Sequence, residues 1–592
     1  MSLTVTDGLE FMEHEERATQ VRGRRATLAA ISWVGLAIIL IAFLLAIVRL
    51  HPANYFGLTQ DDSIYFTSAR AIAQGQGYIL PSIPGTPKAT KYPILYSWML
   101  SWVWRWNPSF PNNLAAASAI TMAFGMAFVT LTFLFLRREM AMGGLEALGL
   151  TAFCAFHPTV LFYSGSMLTE IPFSVLALAA MLVAITAMKQ DARKGAALGC
   201  GVLAGLSILL RVLGVPIALG ILVVALVRKA WRQAAIFAAT SLPFFAWVMW
   251  STVLAAPSAP PLGSEAAGQG WTQTWLYYTS YVAFRKLGVS LHETLSAGFS
   301  QFLYLVTNIP GYFLSTVFDH HMRLWLVSSL LVLWGILHAM IRQAAPKRWQ
   351  AIHFSLVFYA VIVLSWNYPE VKRFFIPFLP LFAACLWLET KWLVKGLLRA
   401  TRGSGYIAEK VVAGALCATV GFLYLAIFWN FTHGDRALLS ALSADRAQLF
   451  TQKLEAYDWI RRNAPQQARL IAGEDVSAYL YTGRQSMTSI ALRPAGAYDS
   501  SLIREDMNHF ADVAQAIDAQ YWVISPDDSS KQWKTAKPVL EVGFTRVQRA
   551  FPEVFRSSRG DVRILDIGCA SRPQDAACQA VRQEFFPVTV HR

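Results

Sequence analysis

Long apolar runs are the feature that most constrains this chain. Most of them have the roughly 20 residues that a helix needs to cross a bilayer. Charged residues make up only 15% of the 592 residues, against about 25% in soluble domains. The sequence therefore predicts an α-helical polytopic membrane protein with about eleven transmembrane helices. The runs are 27–50, 114–136, 145–163, 170–188, 196–213, 215–228, 233–255, 324–341, 351–366, 373–389 and 411–430.

Basic residues alternate between the loops and so predict the orientation. Four arginines precede the first run, and the loops at 137–138, 189–194 and 228–232 are basic, whereas the loops between them are almost uncharged. Because basic loops stay in the cytoplasm, residues 1–26 form a cytoplasmic tail, and the long loops 51–113 and 256–323 lie outside. In a bacterium this is an inner-membrane protein facing the periplasm. Within the second loop, 296–318 is broken by Pro310 and Gly311, which favours an interfacial or re-entrant segment.

The net charge of +15 follows from this loop pattern. Basic side chains are spread over one side of the membrane, and no basic face with interleaved aromatics stands out. The sequence therefore predicts contact with membrane lipids and no nucleic-acid partner.

Residues 431–592 have a different composition, without an apolar run long enough to span. An amphipathic helix near 444–463 and short β-like runs at 469–472, 521–524 and 562–567 predict a soluble α/β domain. The transmembrane domain is then 27–430, and parity places the C-terminal domain in the periplasm. Cys569 and Cys578 lie in this domain, where a disulfide and two free thiols are equally compatible with the sequence.

Ionisable residues gather at the predicted outer ends of the spans, where a charge close to hydrocarbon is costly without a partner or a function. Helix capping would explain the acids, and snorkelling would explain some of the bases. A catalytic site would need the same residue types, with carboxylates to activate a hydroxyl and cations to bind a lipid-linked phosphate. The residues are Asp61 and Asp62, which open a short helix ending at Gly75 and Gly77, then Lys91, Glu170, Arg211, Glu370, Lys372 and Arg373.

Short motifs in this set resemble the GT-C glycosyltransferases. The nearest branch is similar to the bacterial aminoarabinose transferases and protein O-mannosyltransferases. A segment of the C-terminal domain, residues 479–484, is similar to one that often follows the last span of such proteins. The other motifs are Asp61-Asp62-x-x-Tyr65, Lys91-Tyr92-Pro93-x-Leu95-Tyr96, Thr169-Glu170-x-Pro172-Phe173 and Lys372-Arg373-Phe374-Phe375-Ile376-Pro377.

The resemblance implies an inverting transfer of a sugar from a polyprenyl-phosphate donor to an acceptor hydroxyl. Asp61 matches the family's general base. Asp62 stands where the family usually has Glu, so the division of labour between the two acids is open. The substrate-binding residues implied are Lys91 near the donor phosphate, with Tyr92 and Tyr96 of the same motif, and Glu170 beside the base or the sugar. Arg211 and Arg373 are implied at the phosphate, and Lys372 is implied as a further substrate-binding residue of the Arg373 motif.

The resemblance leaves several points open. A Trp-Trp-Asp motif, which accompanies oligosaccharide transfer in this superfamily, is absent, which favours transfer of a single sugar. No cofactor is required, although Asp61 and Asp62 would be placed to hold a divalent metal ion. The acceptor is a lipid, a glycan or a protein.

Two other functions compete with this one. A transporter or flippase of a lipid-linked sugar would have inverted repeats and ionisable groups near the bilayer midplane, whereas the charges here lie at the outer edge. A non-catalytic protein that binds a lipid-linked sugar would keep the fold and lack a general base.

Overall fold

The structure is a computed structural model of the chain. It describes residues 30–50, 56–57, 59–254, 269–280, 291–308, 322–344, 349–364, 372–400, 411, 444–489, 491–492, 500–508, 510–530 and 536–568. The predicted span 411–430 and the two cysteines near the C-terminus lie outside them, apart from residue 411.

Two helices of the first predicted outer loop follow the first apolar helix, α1 (Ala30–Leu50). They are α2 (Asp61–Ala73) and α3 (Leu95–Trp106). Helix α2 begins at the acidic pair, whose charges complement the helix dipole, and ends before Gly75 and Gly77, whose φ angles of 75° and 85° suit glycine. The helix predicted between the acids and the glycines is therefore present.

Helix α3 is amphipathic. Tyr96 and Leu100 are buried, whereas Trp98, Trp102 and Trp106 are exposed on its other face. Tryptophan at every fourth position of an exposed face suits a membrane–water interface.

The remaining helices before residue 400 are mostly apolar. Five helices are long and apolar enough to cross a membrane, a sixth candidate is a bent pair, and four shorter apolar helices accompany them within the described residues. Each overlaps a run predicted to span, so the chain is a helical membrane protein; the total of about eleven spans stays a prediction. The helices are α4 (Leu114–Arg138), α5 (Gly144–Ala155), α6 (Pro158–Gly165), α7 (Glu170–Ala187), α8 (Lys194–Leu210), α9 (Gly214–Val227), α10 (Trp231–Met249), α11 (Gln269–Thr279), α12 (Leu291–Asn308), α13 (Met322–Ala344), α14 (Ala351–Leu364) and α15 (Leu379–Ala400).

The predicted span 145–163 corresponds to two helices separated by a bend. Helices α5 and α6 meet at a bend of 61°. Pro158 has no N–H to donate and disfavours a helical conformation for His157. His157 instead caps α6, with its Nδ1 accepting from the Thr159 N–H at 3.3 Å.

Glycines bring the membrane helices close together. A methyl group at Gly205 of α8 would overlap the Phe244 ring of α10, and one at Gly220 of α9 would overlap Ser355 of α14. Small residues of this kind let helix backbones approach closely. Such packing matters inside a membrane, because the hydrophobic effect contributes little to helix association there.

The C-terminal unit, residues 444–568 as described, is an α/β structure with a five-stranded sheet of order β2-β1-β3-β5-β4. Strands β2, β1 and β3 are parallel, and β5 runs antiparallel to β3 and β4. The predicted β-like runs lie in β1, β3 and β5. The elements are α16 (Ala444–Asn463), β1 (Arg469–Ala472), α17 (Asp475–Thr482), β2 (Ser486–Met487), α18 (Ser500–Asn508), α19 (Phe510–Ala516), β3 (Ala519–Ile524), α20 (Asp527–Ser530), α21 (Lys537–Ala550), β4 (Glu553–Arg556) and β5 (Arg563–Asp566).

This unit packs on the predicted outer loops. The Ser486 N–H donates to the Ser82 carbonyl at 2.9 Å, and the Phe110 and Tyr481 rings lie 4.7 Å apart. Gln273 of α11 donates to Asp506 Oδ1 at 2.8 Å. The chain passes from the carboxyl end of β1 into α17, which lies beside the first loop. Ligands of parallel sheets commonly bind at this end of the strands.

Candidate active site

Four charged side chains from four separate elements meet at one end of the helix bundle. Asp61 opens α2, Glu170 opens α7, Arg211 follows α8, and Arg373 lies in a 3-10 helix (Lys372–Phe378). Arg211 Nη1 lies 2.6 Å from Glu170 Oε1, and Arg373 Nη1 lies 3.3 Å from the same oxygen. Arg373 Nη1 is also 3.8 Å from Asp61 Oδ2. We call these four residues the ionic cluster.

Burial divides the ionic cluster into an inner and an outer part. The Glu170 side chain is 2% exposed, whereas those of Asp61 and Arg373 are 19% and 21% exposed. Glu170 Oε1 is shared by the two guanidinium groups, while its Oε2 makes no hydrogen bond within the described part of the chain. Glu170 thus forms the buried part of the ionic cluster and contacts both Arg211 and Arg373. Asp61 and Arg373 form its more exposed part.

Phe374 forms one wall of the ionic cluster. The guanidinium carbons of Arg211 and Arg373 lie 5.1 and 5.5 Å from its ring centroid, within the range of cation–π attraction. The Phe374 carbonyl accepts a hydrogen bond from the Tyr359 hydroxyl of α14 at 2.7 Å. This bond holds the 3-10 helix, and with it Arg373, against the bundle.

Tyr92 orients Asp61. Its hydroxyl donates to Asp61 Oδ1 at 2.6 Å, and its ring packs edge-on against that of Tyr65, 5.0 Å away. Tyr96 is placed differently, because it is fully buried and its hydroxyl pairs with Thr121 Oγ1 at 2.6 Å. Of the two predicted tyrosines, Tyr92 therefore contacts the ionic cluster and Tyr96 anchors α3 to α4.

Asp62 makes a separate set of contacts. Its Oδ2 accepts the Gly57 N–H at 3.0 Å and its Oδ1 accepts the Ser63 N–H at 2.8 Å. Burial raises the pKa of Asp62 to about 7, against the lowering effect of these two backbone donors. The structure thus separates the two acids that the sequence left undivided: Asp61 faces Arg373, and Asp62 holds the backbone that leads into α2.

Lys91 lies in an aromatic and acidic environment. Its Nζ is 4.1 Å from the Tyr277 ring centroid and 5.3 Å from that of Tyr92. Burial lowers the pKa of Lys91 to about 8, and the carboxylates of Asp61 and Asp475 act in the opposite direction. Lys91 is therefore a cation near neutral pH that interacts with Asp61 from outside the ionic cluster.

Several residues beside the site carry no signal in the sequence. Tyr277 and Tyr278 belong to α11, which contains no predicted motif. Asp475 belongs to the C-terminal unit and precedes the predicted motif 479–484 without being part of it. Gln60 precedes the acidic pair, and its hydrogen bonds to Asp475 and Tyr277 connect it with the site. The predicted residue Lys372 lies at the start of the 3-10 helix, and its side chain is outside what the structure describes.

No group of three or more His, Cys, Asp or Glu side chains in the described residues is placed to hold a metal ion. The acids predicted as possible ligands are Asp61 and Asp62, and the oxygens of Asp62 already accept two backbone N–H groups.

Solved structures with a similar fold were found. One is ArnT from Cupriavidus metallidurans bound to undecaprenyl phosphate, with 12% identity, a TM-score of 0.49, and coverage of 90% of this chain and 97% of that one. Another is the archaeal oligosaccharyltransferase AglB from Archaeoglobus fulgidus in complex with an inhibitory peptide and a dolichol-phosphate, with 14% identity, a TM-score of 0.48, and coverage of 89% and 74%. Both are GT-C glycosyltransferases.

At these low identities the similarity concerns the fold alone. No family model matches the sequence, and no curated protein matches it.

Proposed function

We propose that this protein is an inverting glycosyltransferase that moves a single sugar from a polyprenyl-phosphate donor to an acceptor hydroxyl. The observation that carries the proposal is the accessible carboxylate of Asp61, hydrogen-bonded to Tyr92 and 3.8 Å from Arg373. A general base needs an oriented carboxylate within reach of the acceptor proton. The neighbouring guanidinium groups would stabilise a phosphate that leaves.

The reaction is a direct displacement. The acceptor oxygen attacks the anomeric carbon while its proton passes to Asp61, and the bond from that carbon to the phosphate oxygen breaks. The electron pair leaves with the polyprenyl phosphate. One displacement inverts the anomeric configuration.

The cations take distinct roles in this proposal. A guanidinium has five N–H donors, so Arg211 and Arg373 retain donors for a phosphate while they share Glu170. Lys91 supplies a compact charge on the side of Tyr277, and Lys372 is kept as a substrate-binding residue on the sequence motif alone. Asp62 positions the start of α2 and has no chemical step.

Cellular location and partners follow from the sequence pattern. The basic loops support a bacterial inner-membrane protein whose site and C-terminal α/β domain face the periplasm. The donor is then a polyprenyl-linked sugar of the outer leaflet, and the acceptor is a lipid, a glycan or a protein of the same compartment. The absent Trp-Trp-Asp motif supports a single sugar.

The first experiment compares the wild type with Asp61→Asn in detergent. Each protein is incubated with a panel of undecaprenyl-phosphate sugars, and release of undecaprenyl phosphate is measured. Asp191→Asn is the matched control, because it makes the same chemical change at an exposed turn between α7 and α8. We expect release by the wild type and the control, and none by Asp61→Asn.

Other outcomes separate the competing functions. Full release by Asp61→Asn would contradict the assignment of the base. Saturable donor binding without release, even when candidate acceptors are added, would favour a non-catalytic binding protein. Movement of the lipid-linked sugar between the leaflets of a vesicle, without release of undecaprenyl phosphate, would favour a transporter.

A further inference from the structure

Asp475 is a buried carboxylate of the C-terminal unit that reaches the first predicted outer loop. It opens α17, is 0% exposed, and follows the carboxyl end of β1. Its Oδ1 accepts from Gln60 Nε2 at 2.8 Å, and its Oδ2 accepts from the Tyr278 hydroxyl at 2.5 Å. Tyr278 in turn accepts the Thr488 N–H at 2.8 Å. Both oxygens of Asp475 are thus used to join the C-terminal unit to loop residues.

Gln60 is the residue immediately before the proposed base. Its φ of 59° is unusual for a residue other than glycine and costs about 1–3 kcal/mol unless surrounding contacts maintain it. The contacts are the bond to Asp475, the bond from its N–H to the Gly57 carbonyl at 3.3 Å, and the Ser63 hydroxyl on its own carbonyl at 2.8 Å. The direction in which the chain enters α2, and so the position of Asp61, depends on them.

A second path runs from Gln60 to Lys91. The Tyr277 hydroxyl donates to Gln60 Oε1, and the Tyr277 ring lies 4.1 Å from Lys91 Nζ. The charged groups that interact with Lys91 are Asp61 of α2 and Asp475 of α17, and the rings that face it are those of Tyr92 and Tyr277. Asp475 therefore acts on Lys91 both through Tyr277 and through its own charge.

We propose that Asp475 is a positioning residue through which the C-terminal unit sets the geometry of Asp61 and Lys91. The proposal rests on the function proposed above and extends it, because it makes the C-terminal unit part of the active centre. Burial raises the pKa of Asp475 to about 7, so its carboxylate is ionised above neutral pH and then accepts from two donors of two different segments. An amide offers one acceptor oxygen in the same volume, so Asp475→Asn would release Gln60 or Tyr278 and would remove the charge near Lys91.

The test compares Asp475→Asn with Asp506→Asn. Asp506 is also buried, accepts Gln273 Nε2 at 2.8 Å, and lies at the same interface; none of its described bonds involves Gln60. Binding of undecaprenyl phosphate and release from the active donor are measured between pH 6 and pH 10. In the wild type, binding weakens as Lys91 loses its proton. In Asp475→Asn, we expect this loss at a pH lower by about one unit, with kcat/KM reduced about tenfold.

Gln60 offers a second pair of variants. Gln60→Gly accepts the positive φ and loses only the side-chain bridge, whereas Gln60→Ala loses the bridge and keeps the backbone strain. We expect Gln60→Gly to reproduce the lowered kcat/KM of Asp475→Asn with normal folded yield. Gln60→Ala should have both a lower kcat/KM and a lower folded yield than Gln60→Gly.

The titration of Lys91 is also followed without any assay of transfer, by acetylation with acetic anhydride across the same pH range and mass spectrometry. A lower titration midpoint in Asp475→Asn but not in Asp506→Asn supports the proposal even if no donor is turned over, in which case only the proposed function fails. An identical midpoint in all three proteins, or an equal loss of kcat/KM in both variants, would overturn it.

Discussion

Replacing Glu170 by glutamine should make Asp61 a less effective base, although Asp61 itself is unchanged. Glu170 Oε1 now lies 3.3 Å from Arg373 Nη1, whereas Asp61 Oδ2 lies 3.8 Å from that nitrogen. A neutral amide would no longer hold Arg373, and the guanidinium would approach Asp61 as its nearest carboxylate. The closer guanidinium would compete with the acceptor hydroxyl for the Asp61 carboxylate.

The size of this effect can be worked out from the distances. At an effective dielectric constant of about 20, two unit charges at 3.8 Å attract by about 4.4 kcal/mol. Closing to about 2.8 Å raises the attraction to about 5.9 kcal/mol, a change of about 1.5 kcal/mol. Since about 1.4 kcal/mol corresponds to tenfold, the transfer step should slow up to about tenfold. Loss of one partner from a buried ion pair adds a cost of roughly 3–5 kcal/mol in folding stability.

The assay is single-turnover transfer at saturating donor, compared among the wild type, Glu170→Gln and Glu170→Asp. The aspartate variant is the matched control, since it retains the charge and shortens the side chain by one methylene. We expect Glu170→Asp to remain close to the wild type in rate and Glu170→Gln to be slower. A Glu170→Gln protein that folds and transfers at the wild-type rate would refute the reasoning.

Three further predictions concern the same site. The pKa of Lys91 is lowered to about 8, so the cation is lost as pH rises through that value and kcat/KM should fall about tenfold per pH unit above it. Lys91→Arg stays charged and should lack this fall. A fall shared by both proteins would exclude Lys91 as its source. Tyr92→Phe should slow transfer by at least about tenfold, because Asp61 loses a hydrogen bond worth roughly 1.5–3 kcal/mol. Tyr96→Phe removes a hydroxyl that pairs with Thr121, so it should alter the rate less than twofold and lower the thermal midpoint. Equal rates in the two variants would contradict these placements. Removal of divalent cations with EDTA should leave transfer by the wild type unchanged, and a loss restored by added metal would show that the reaction uses a metal ion.

Local sequence determined the elements and most of the charged candidates. Apolar runs specify the membrane helices because burying charge in lipid is costly, and the acids and glycines around α2 specify its two ends. Asp61, Glu170, Arg211 and Arg373 were singled out because each is an ionisable residue at the end of an apolar or helical segment. These four residues belong to four separate elements of the chain, yet their side chains meet.

Tertiary structure decided which of these residues act together and what surrounds them. The sequence could not separate Asp61 from Asp62, because adjacent residues of a helix point in different directions and only packing shows which one faces Arg373. Gln60 and Asp475 lie 415 positions apart, so no local pattern relates them. Their hydrogen bond exists because the C-terminal unit packs on the first loop, and long-range packing of this kind depends on the whole fold.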